Sequence, residues 1–235
     1  MLLLKPKQKY ITNTYKLLEL NKLEKKHYFY LNKYKFIVYP NVFSPKYFPF
    51  GLCFSKRLLQ IIKNNSQVLE IGCGCGIISG YLGIKNKTLK ITAVDINKTA
   101  VKNTIANFKA HKLKNTKVFY SNVFSKIPLE QKYDYIFWDM PFGLTNKRKL
   151  NNLEKAVFDY NYNSISRFFK NSKKHIIKGG CLLIGFSNLI GHYSLLSKLA
   201  KENNFKLQLL TLDKDTIIEG RKKADMRIYK ASIVI

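Results

Sequence analysis

Two short stretches of this chain hold the residue types that could do chemistry. The first, QVLEIGCGCGIISGYLG from Gln67 to Gly83, runs from an apolar segment (Val68, Leu69, Ile71) through Glu70 and the alternating glycines Gly72, Gly74 and Gly76 into a helix-compatible segment. That pattern predicts a buried parallel strand turning tightly into a helix N-terminus. Without Cβ atoms, the three glycines let the backbone take positive φ and let a ligand lie against it. The next apolar strand, Leu89 to Val94, ends in Asp95, where a carboxylate can take both ribose hydroxyls of a nucleoside. The spacing excludes two other phosphate-binding turns. Ile77 stands where a dinucleotide fingerprint needs its third glycine, and no G-K-[ST] is present to cradle a triphosphate.

The second stretch is YDYIFWDMPFG, residues 133 to 143. It predicts a strand whose end enters the crevice beyond the carboxyl ends of the sheet, where open α/β folds bind their ligands.

Both stretches resemble known motifs. The E-x-G-x-G-x-G of Glu70 to Gly76 is similar to motif I of class I S-adenosylmethionine (SAM) methyltransferases. Asp139-Met140-Pro141-Phe142 resembles the [ND]-P-P-[YF] motif of enzymes that methylate planar nitrogens, with Asp for the commoner Asn and Met for the first Pro. The resemblance implies SAM as cofactor and catalytic work by those four residues. An amide or aryl amine is a poor nucleophile because its lone pair is delocalised. Asp139 and the Met140 carbonyl would accept its two N–H hydrogens and favour a pyramidal nitrogen. Pro141 would stiffen the turn, Phe142 would stack on the flat acceptor, and Asp139 would also face the cofactor.

From about Val42 onward the chain resembles the HemK-like, or methyltransferase small domain, group. The residues that carry this are Val42-Phe43-Ser44-Pro45, the glycine motif, Asp95-Ile96-Asn97, the acceptor motif and a last strand. The resemblance implies a Rossmann-like α/β fold, a doubly wound seven-stranded sheet in the order 3-2-1-4-5-7-6, parallel with an antiparallel last strand. By family position Ile96 would pack on the adenine of SAM and Asn122 would contact its amino group. The implied activity is N-methylation, with a protein glutamine amide, as in a translation factor, as first choice of acceptor. An exocyclic amine of RNA or DNA is the alternative, and a SAM-binding scaffold without turnover is a third reading.

The rest of the chain must position these residues. At 235 residues and 46% apolar, it suits one catalytic domain (51–235) behind an N-terminal extension (1–50) that has no glycine. No run of 18 apolar residues is present, so no membrane partner is expected, and the leading MLLL is too short for a secretory signal. Four cysteines form neither a disulfide framework nor a zinc spacing, which fits a reduced, cytoplasmic protein. The four histidines lack metal-ligand spacing, so no metal is expected. The formal charge of +28, nearly all Lys, has two explanations, attraction to polyanions and a biased composition.

In chain order the patterning predicts a short helix over Leu17, Leu18 and Leu20 capped by Thr12 or Thr14, then a hairpin of His27 to Leu31 and Lys35 to Tyr39. The hairpin is read as amphipathic, with interleaved Lys and aromatic residues that suit stacked bases as the alternative. A helix from Phe54 to Lys63 follows. Further on come a helix with Ala100, Val101, Ile105 and Phe108 on one face, strands at 117–121 and 135–138, and a long helix at 153–177 stopped by Gly179-Gly180. A strand at 181–186, a helix at 193–202, a strand at 205–212, a charged loop and a strand at 226–234 complete the reading. Lys147, Arg148 and Lys149, after the acceptor loop, are placed to grip a phosphate or an acidic peptide.

Overall fold

The fold is described from a computed structural model, in which residues 4–213 and 225–234 are described. Helix α1 (Leu4–Leu23) leads into the hairpin β1 (His27–Leu31) and β2 (Tyr34–Val38), and α2 (Phe50–Ile61) follows. Alternating units come next: β3 (Gln67–Ile71), α3 (Ile77–Lys85), β4 (Lys90–Asp95), α4 (Lys98–Ala110), β5 (Thr116–Tyr120) and β6 (Tyr133–Asp139). A short parallel pair, β7 (Gly143–Thr145) and β8 (Phe158–Tyr160), flanks a single 3-10 turn. The chain ends with α5 (Asn163–Ser172), β9 (Ile176–Phe186), α6 (Tyr193–Glu202), β10 (Phe205–Asp213) and β11 (Met226–Ile233). The charged loop expected between the last two strands lies outside the described residues.

Seven strands form one sheet in the order β10-β11-β9-β6-β3-β4-β5. Counted along the sheet's own strands, this is the expected 3-2-1-4-5-7-6. Strands β3 to β6 and β9 pair parallel, and β11 runs antiparallel to both its neighbours. Parallel strands are covered on both faces, so their apolar residues form two clusters on opposite sides. One is built around Leu69, Ile136, Trp138, Phe168 and Phe169, the other around Val68, Phe54, Phe137, Leu183 and Ile91. Each fully buried aliphatic or aromatic side chain contributes about 1.5–3 kcal/mol relative to exposure. The first fifty residues belong to the same clusters: Leu18 and Phe48 to the first, Leu31, Phe36, Val38 and Val42 to the second.

Several expectations are corrected. The first helix is much longer than predicted, and Thr14, expected as a cap, sits inside it with its hydroxyl bonded back to the Tyr10 carbonyl. Ile105 is 47% exposed, and α4 instead turns Asn103, Thr104 and Asn107 inward. The predicted helix at 153–177 is broken into the 3-10 turn, β8 and α5 by the left-handed residues Asn161 and Tyr162. Phe158 to Tyr160 pair with β7, and the buried Asp159 carboxylate caps α5 by accepting from the amides of Ser164 and Ile165. Gly179 and Gly180 do not end a helix. They form an irregularity inside β9, with Gly179 at φ +83°, and a Cβ on Gly180 would come within 2.8 Å of the Asp134 carbonyl.

Asn103 and Asn107 explain how the hairpin is held. Asn107 accepts from the Ile37 amide and donates to the carbonyls of Ile37 and Cys75, while Asn103 accepts from the Tyr39 amide and donates to the Ile37 carbonyl. One edge of β2 is thereby closed and tied to the glycine turn. Replacing Asn107 with Leu strands the Ile37 amide and the Cys75 carbonyl in the interior, so the variant is expected to lose about 2–4 kcal/mol. Denaturant unfolding monitored by tryptophan fluorescence checks it; a loss under about 0.5 kcal/mol would show that the edge does not need this closure.

Candidate functional site

The carboxyl ends of β3, β4 and β6 open on a cavity of about 760 Å³. This is the crevice where strand order reverses, since β3 pairs with β4 on one side and β6 on the other. The glycine turn forms its base. Gly72, Gly74 and Gly76 all have positive φ (69°, 57° and 75°), each with a different consequence. A Cβ on Gly74 would meet nothing within 4 Å, so the backbone there borders open space in which a ligand can lie. At Gly76 a Cβ would strike Thr104 at 2.7 Å; this glycine does not line the cavity but lets α4 approach the turn. At Gly72 it would meet the Trp138 indole nitrogen at 3.1 Å.

Three carboxylates converge here. Asp95, 8% exposed, accepts from the amide of Gly74 at 2.9 Å and that of Asn97 at 2.7 Å, which locks its orientation between turn and helix. Burial raises its pKa, opposed by those amides. Glu70 is buried and accepts from the amide and the hydroxyl of Ser79 on α3. Burial first, and then the nearby charges of Asp139 and Asp95, push it up to about 8 against the Ser79 hydrogen bonds. Asp139, at the end of β6, borders the cavity; burial alone pushes it up to about 7, with no described residue donating to its carboxylate. Burial disfavours the ionised form of all three acids, and Glu70 is further disfavoured by the other two, so a cationic ligand among them would be favoured.

Of the residues singled out in the sequence, Glu70, Gly72, Gly74, Asp95, Ile96, Asn122, Asp139 and Pro141 line this one cavity. Gly76, Met140 and Phe142 do not. Met140 (1% exposed) and Phe142 (7%) sit in the core, where the Phe142 ring packs against Phe50 and Phe186, and its carbonyl accepts from the Tyr162 hydroxyl. The cavity's aromatic walls are other residues, Trp138, Phe158, Tyr160 and the stacked pair Phe43 and Phe48 with centroids 4.2 Å apart.

The outer rim carries Arg148, Lys155, Arg167 and Lys170, all exposed. Only Arg148 had been singled out in the sequence. Its neighbour Lys147 is paired with Glu154 at 2.6 Å. Arg148 donates to the Tyr160 hydroxyl at 3.1 Å, and Arg167 reaches the Asn122 side-chain oxygen at 3.4 Å and the Ser164 hydroxyl at 3.2 Å. A hint lay in the i, i+3 spacing of Arg167 and Lys170, but it was hidden inside the misread helix.

Comparison with known proteins agrees with this geometry. The family model described as methyltransferase small domain matches residues 33–208. Ribosomal RNA small subunit methyltransferase C of Mannheimia succiniciproducens is 30% identical over 182 residues, covering 73% of this chain and 49% of that protein. A Methanocaldococcus jannaschii protein, provisionally named a protein N5-glutamine methyltransferase, is 30% identical over 179 residues, covering 74% of this chain and 86% of its own length. The chain spans half or less of the ribosomal RNA methyltransferases that it matches first. Among solved structures, a provisionally named methyltransferase complexed with SAH superposes with a TM-score of 0.62 at 14% identity, covering 89% of this chain and 56% of that one. A ribosomal protein L11 methylase from Lactobacillus delbrueckii superposes at 0.57 with 11% identity, over 88% of this chain and 98% of that one.

The raised carboxyls carry a pH signature. Glu70 holds its proton more tightly folded, at about 8, than at its ordinary 4.5. The stability this contributes is full below pH 4.5 and is lost as pH rises through about 8. The ligand-free wild type should therefore lose melting temperature relative to Glu70→Gln across that window. A difference that stays flat would show that the carboxyl is not held protonated.

Proposed function

The chain belongs to the methyltransferase small domain family, a HemK-like group of class I SAM-dependent methyltransferases, and from that premise we propose that its acceptor is an exocyclic amino group of an RNA base. The residues present fit SAM. The space over Gly74 is open, Asp95 keeps lone pairs for ribose hydroxyls, Ile96 and Asn122 border the same cavity for adenine, and the three carboxylates suit a cationic ligand. When bound, SAM supplies an electrophilic methyl group on a sulfonium.

The observation that carries the acceptor reading is the charge of the rim. Arg148, Lys155, Arg167 and Lys170 ring the outer cavity, and the one acid among them, Asp159, is occupied by the α5 amides. Phosphates on either side of a target nucleotide match that ring, whereas a neutral glutamine side chain has no use for it. Inside, ionised Asp139 accepts an N–H of the amine, so the nitrogen lone pair is freed for attack; the part the motif implies for the Met140 carbonyl drops out, because Met140 is buried behind the cavity wall. Pro141 walls the corner. Because the Phe142 ring faces the core, stacking on the base falls to the aromatic walls that border the cavity. Rate comes from positioning and from the preorganised acceptors.

A protein glutamine amide is the second reading, favoured by the M. jannaschii relative, of which this chain covers 86%. The polar corner would hold an amide in the same way. Cytoplasmic location and a role for residues 1–50 in substrate recognition belong to the same proposal; no described helix is long and apolar enough to cross a membrane.

Incubation with methyl-labelled SAM and a cell lysate, followed by nuclease or protease digestion, separates the readings. Label released by ribonuclease is expected; label that survives nuclease and yields to protease would select glutamine, and SAM binding without label in either fraction would select a scaffold. Asp139→Ala should lower transfer by about a hundredfold or more while SAM still binds. In the wild type kcat/KM should rise with pH through about 7 as Asp139 ionises, and a profile unchanged by the substitution would remove Asp139 from the chemistry.

A further inference from the structure

The β1–β2 hairpin has two faces with different jobs. Leu31, Phe36 and Val38 are 2%, 0% and 0% exposed and fill the core beside α3 and α4. On the other face Tyr28 and Tyr30 are 54% and 58% exposed, although both are large aromatics. Tyr30 stands opposite Lys35 in the register, and the Lys35 ammonium lies 3.7 Å from the centre of the Tyr28 ring. Lys33 occupies the turn, and Lys25 and Lys26 lead into β1. Among the described residues no salt bridge engages these lysines: the sequence has no acid between Glu24 and Glu70, and α3 and α4 have none. Glu24 is itself engaged by Lys46 and Tyr47.

We propose that this outer face is a second contact for single-stranded RNA, holding nucleotides that flank the one in the cavity. The proposal rests on the RNA reading of the acceptor and adds a surface outside the active site. Exposed rings two residues apart on a strand lie about 7 Å from each other and offer stacking planes that any base can use. The lysines beside them meet the phosphates. The hairpin is tied to the segment that lines the cavity: His27, at the base of β1, hydrogen-bonds the Ser44 hydroxyl at 2.8 Å, next to the cavity-lining Pro45. The hairpin is also preorganised, since α4 fixes its backbone through Asn103 and Asn107.

The test uses the full chain and a fluorescein-labelled, mixed-sequence 15-nucleotide single-stranded RNA followed by anisotropy, with poly-glutamate as an acidic control. Tyr28→Ser/Tyr30→Ser is expected to weaken RNA binding by about tenfold or more, as loss of base stacking does. Lys33→Glu/Lys35→Glu should flatten the salt dependence by about one to two log units per log unit of salt. SAM affinity and melting temperature should stay at wild-type values in both. Wild-type RNA affinity in both variants, with binding lost in Arg167→Ala/Lys170→Ala, would overturn the hairpin contact and leave the acceptor reading standing. A wild type that binds no RNA and labels protein would overturn both. Poly-glutamate binding as tight as RNA, and unchanged by loss of the tyrosines, would reduce the surface to charge alone and overturn the proposal.

Discussion

The burial of three carboxylates at the ends of neighbouring parallel strands is the constraint around which this site is arranged: desolvation raises all three, and Glu70 also feels the charges of the other two. Glu70 comes from β3, Asp95 from β4 and Asp139 from β6, and the sheet order sets these strands side by side. Parallel ladders bring the strand ends to a common edge, so the three acids border one cavity. Each is managed differently. Ser79 hydrogen-bonds Glu70, main-chain amides hold Asp95, and Asp139 has no described donor. The group without a donor is the one best placed to take a hydrogen bond from an incoming substrate. The acids that are held, Glu70 and Asp95, border the same cavity beneath the glycine turn.

The surrounding elements serve that cavity. Gly76 admits Thr104 and so lets α4 close on the turn, while Thr104 itself donates to the Gly74 carbonyl at 3.0 Å. Asn107 of the same helix ties β2 to the turn, and the buried Asn21 of α1 holds the 42–44 segment by donating to the Val42 carbonyl and accepting from the Ser44 amide. The N-terminal residues therefore build one wall of the cavity, through Phe43, Pro45 and Phe48. On the opposite wall, α5 brings Arg167 and Lys170 to the rim because Asp159 caps it at the right place. The result is an acidic interior with a basic mouth, suited to a cationic cofactor within and an anionic chain without.

Much of this was legible in the sequence where the signal is local. The three glycines, Asp95, Asp139 and Pro141 belong to short patterns whose residue types follow from backbone geometry or hydrogen-bonding chemistry, and the resemblance they carry also supplied the strand order; Met140 and Phe142 of the same motif do not line the cavity. Signals set by distant partners were not legible. Residues 153–177 have apolar spacing that suits a helix and no proline to break it, and only the pairing of Phe158 to Tyr160 with β7 turns part of that stretch into strand. The Phe142 ring looks available in the motif, yet Phe50 and Phe186 claim it for the core. Ile105 fits an apolar stripe, but the hairpin's backbone takes asparagine on the inward side of α4, which leaves Ile105 exposed. The interleaved Lys and Tyr of the hairpin were ambiguous because one strand serves both the core and the surface.

The central claim is electrostatic and has a direct test in proton linkage. A sulfonium bound among these acids should favour their ionised forms, so binding at pH 7 must expel protons from Glu70 and Asp139. SAH has the same nucleoside and amino acid with a neutral sulfur. Calorimetric titration of each ligand in buffers of different ionisation enthalpy counts the protons released. The account predicts greater release with SAM than with SAH, and a smaller difference between them in Glu70→Gln. Equal proton release with the two ligands would contradict it, because the sulfonium charge would then not be felt by the carboxylates at the strand ends.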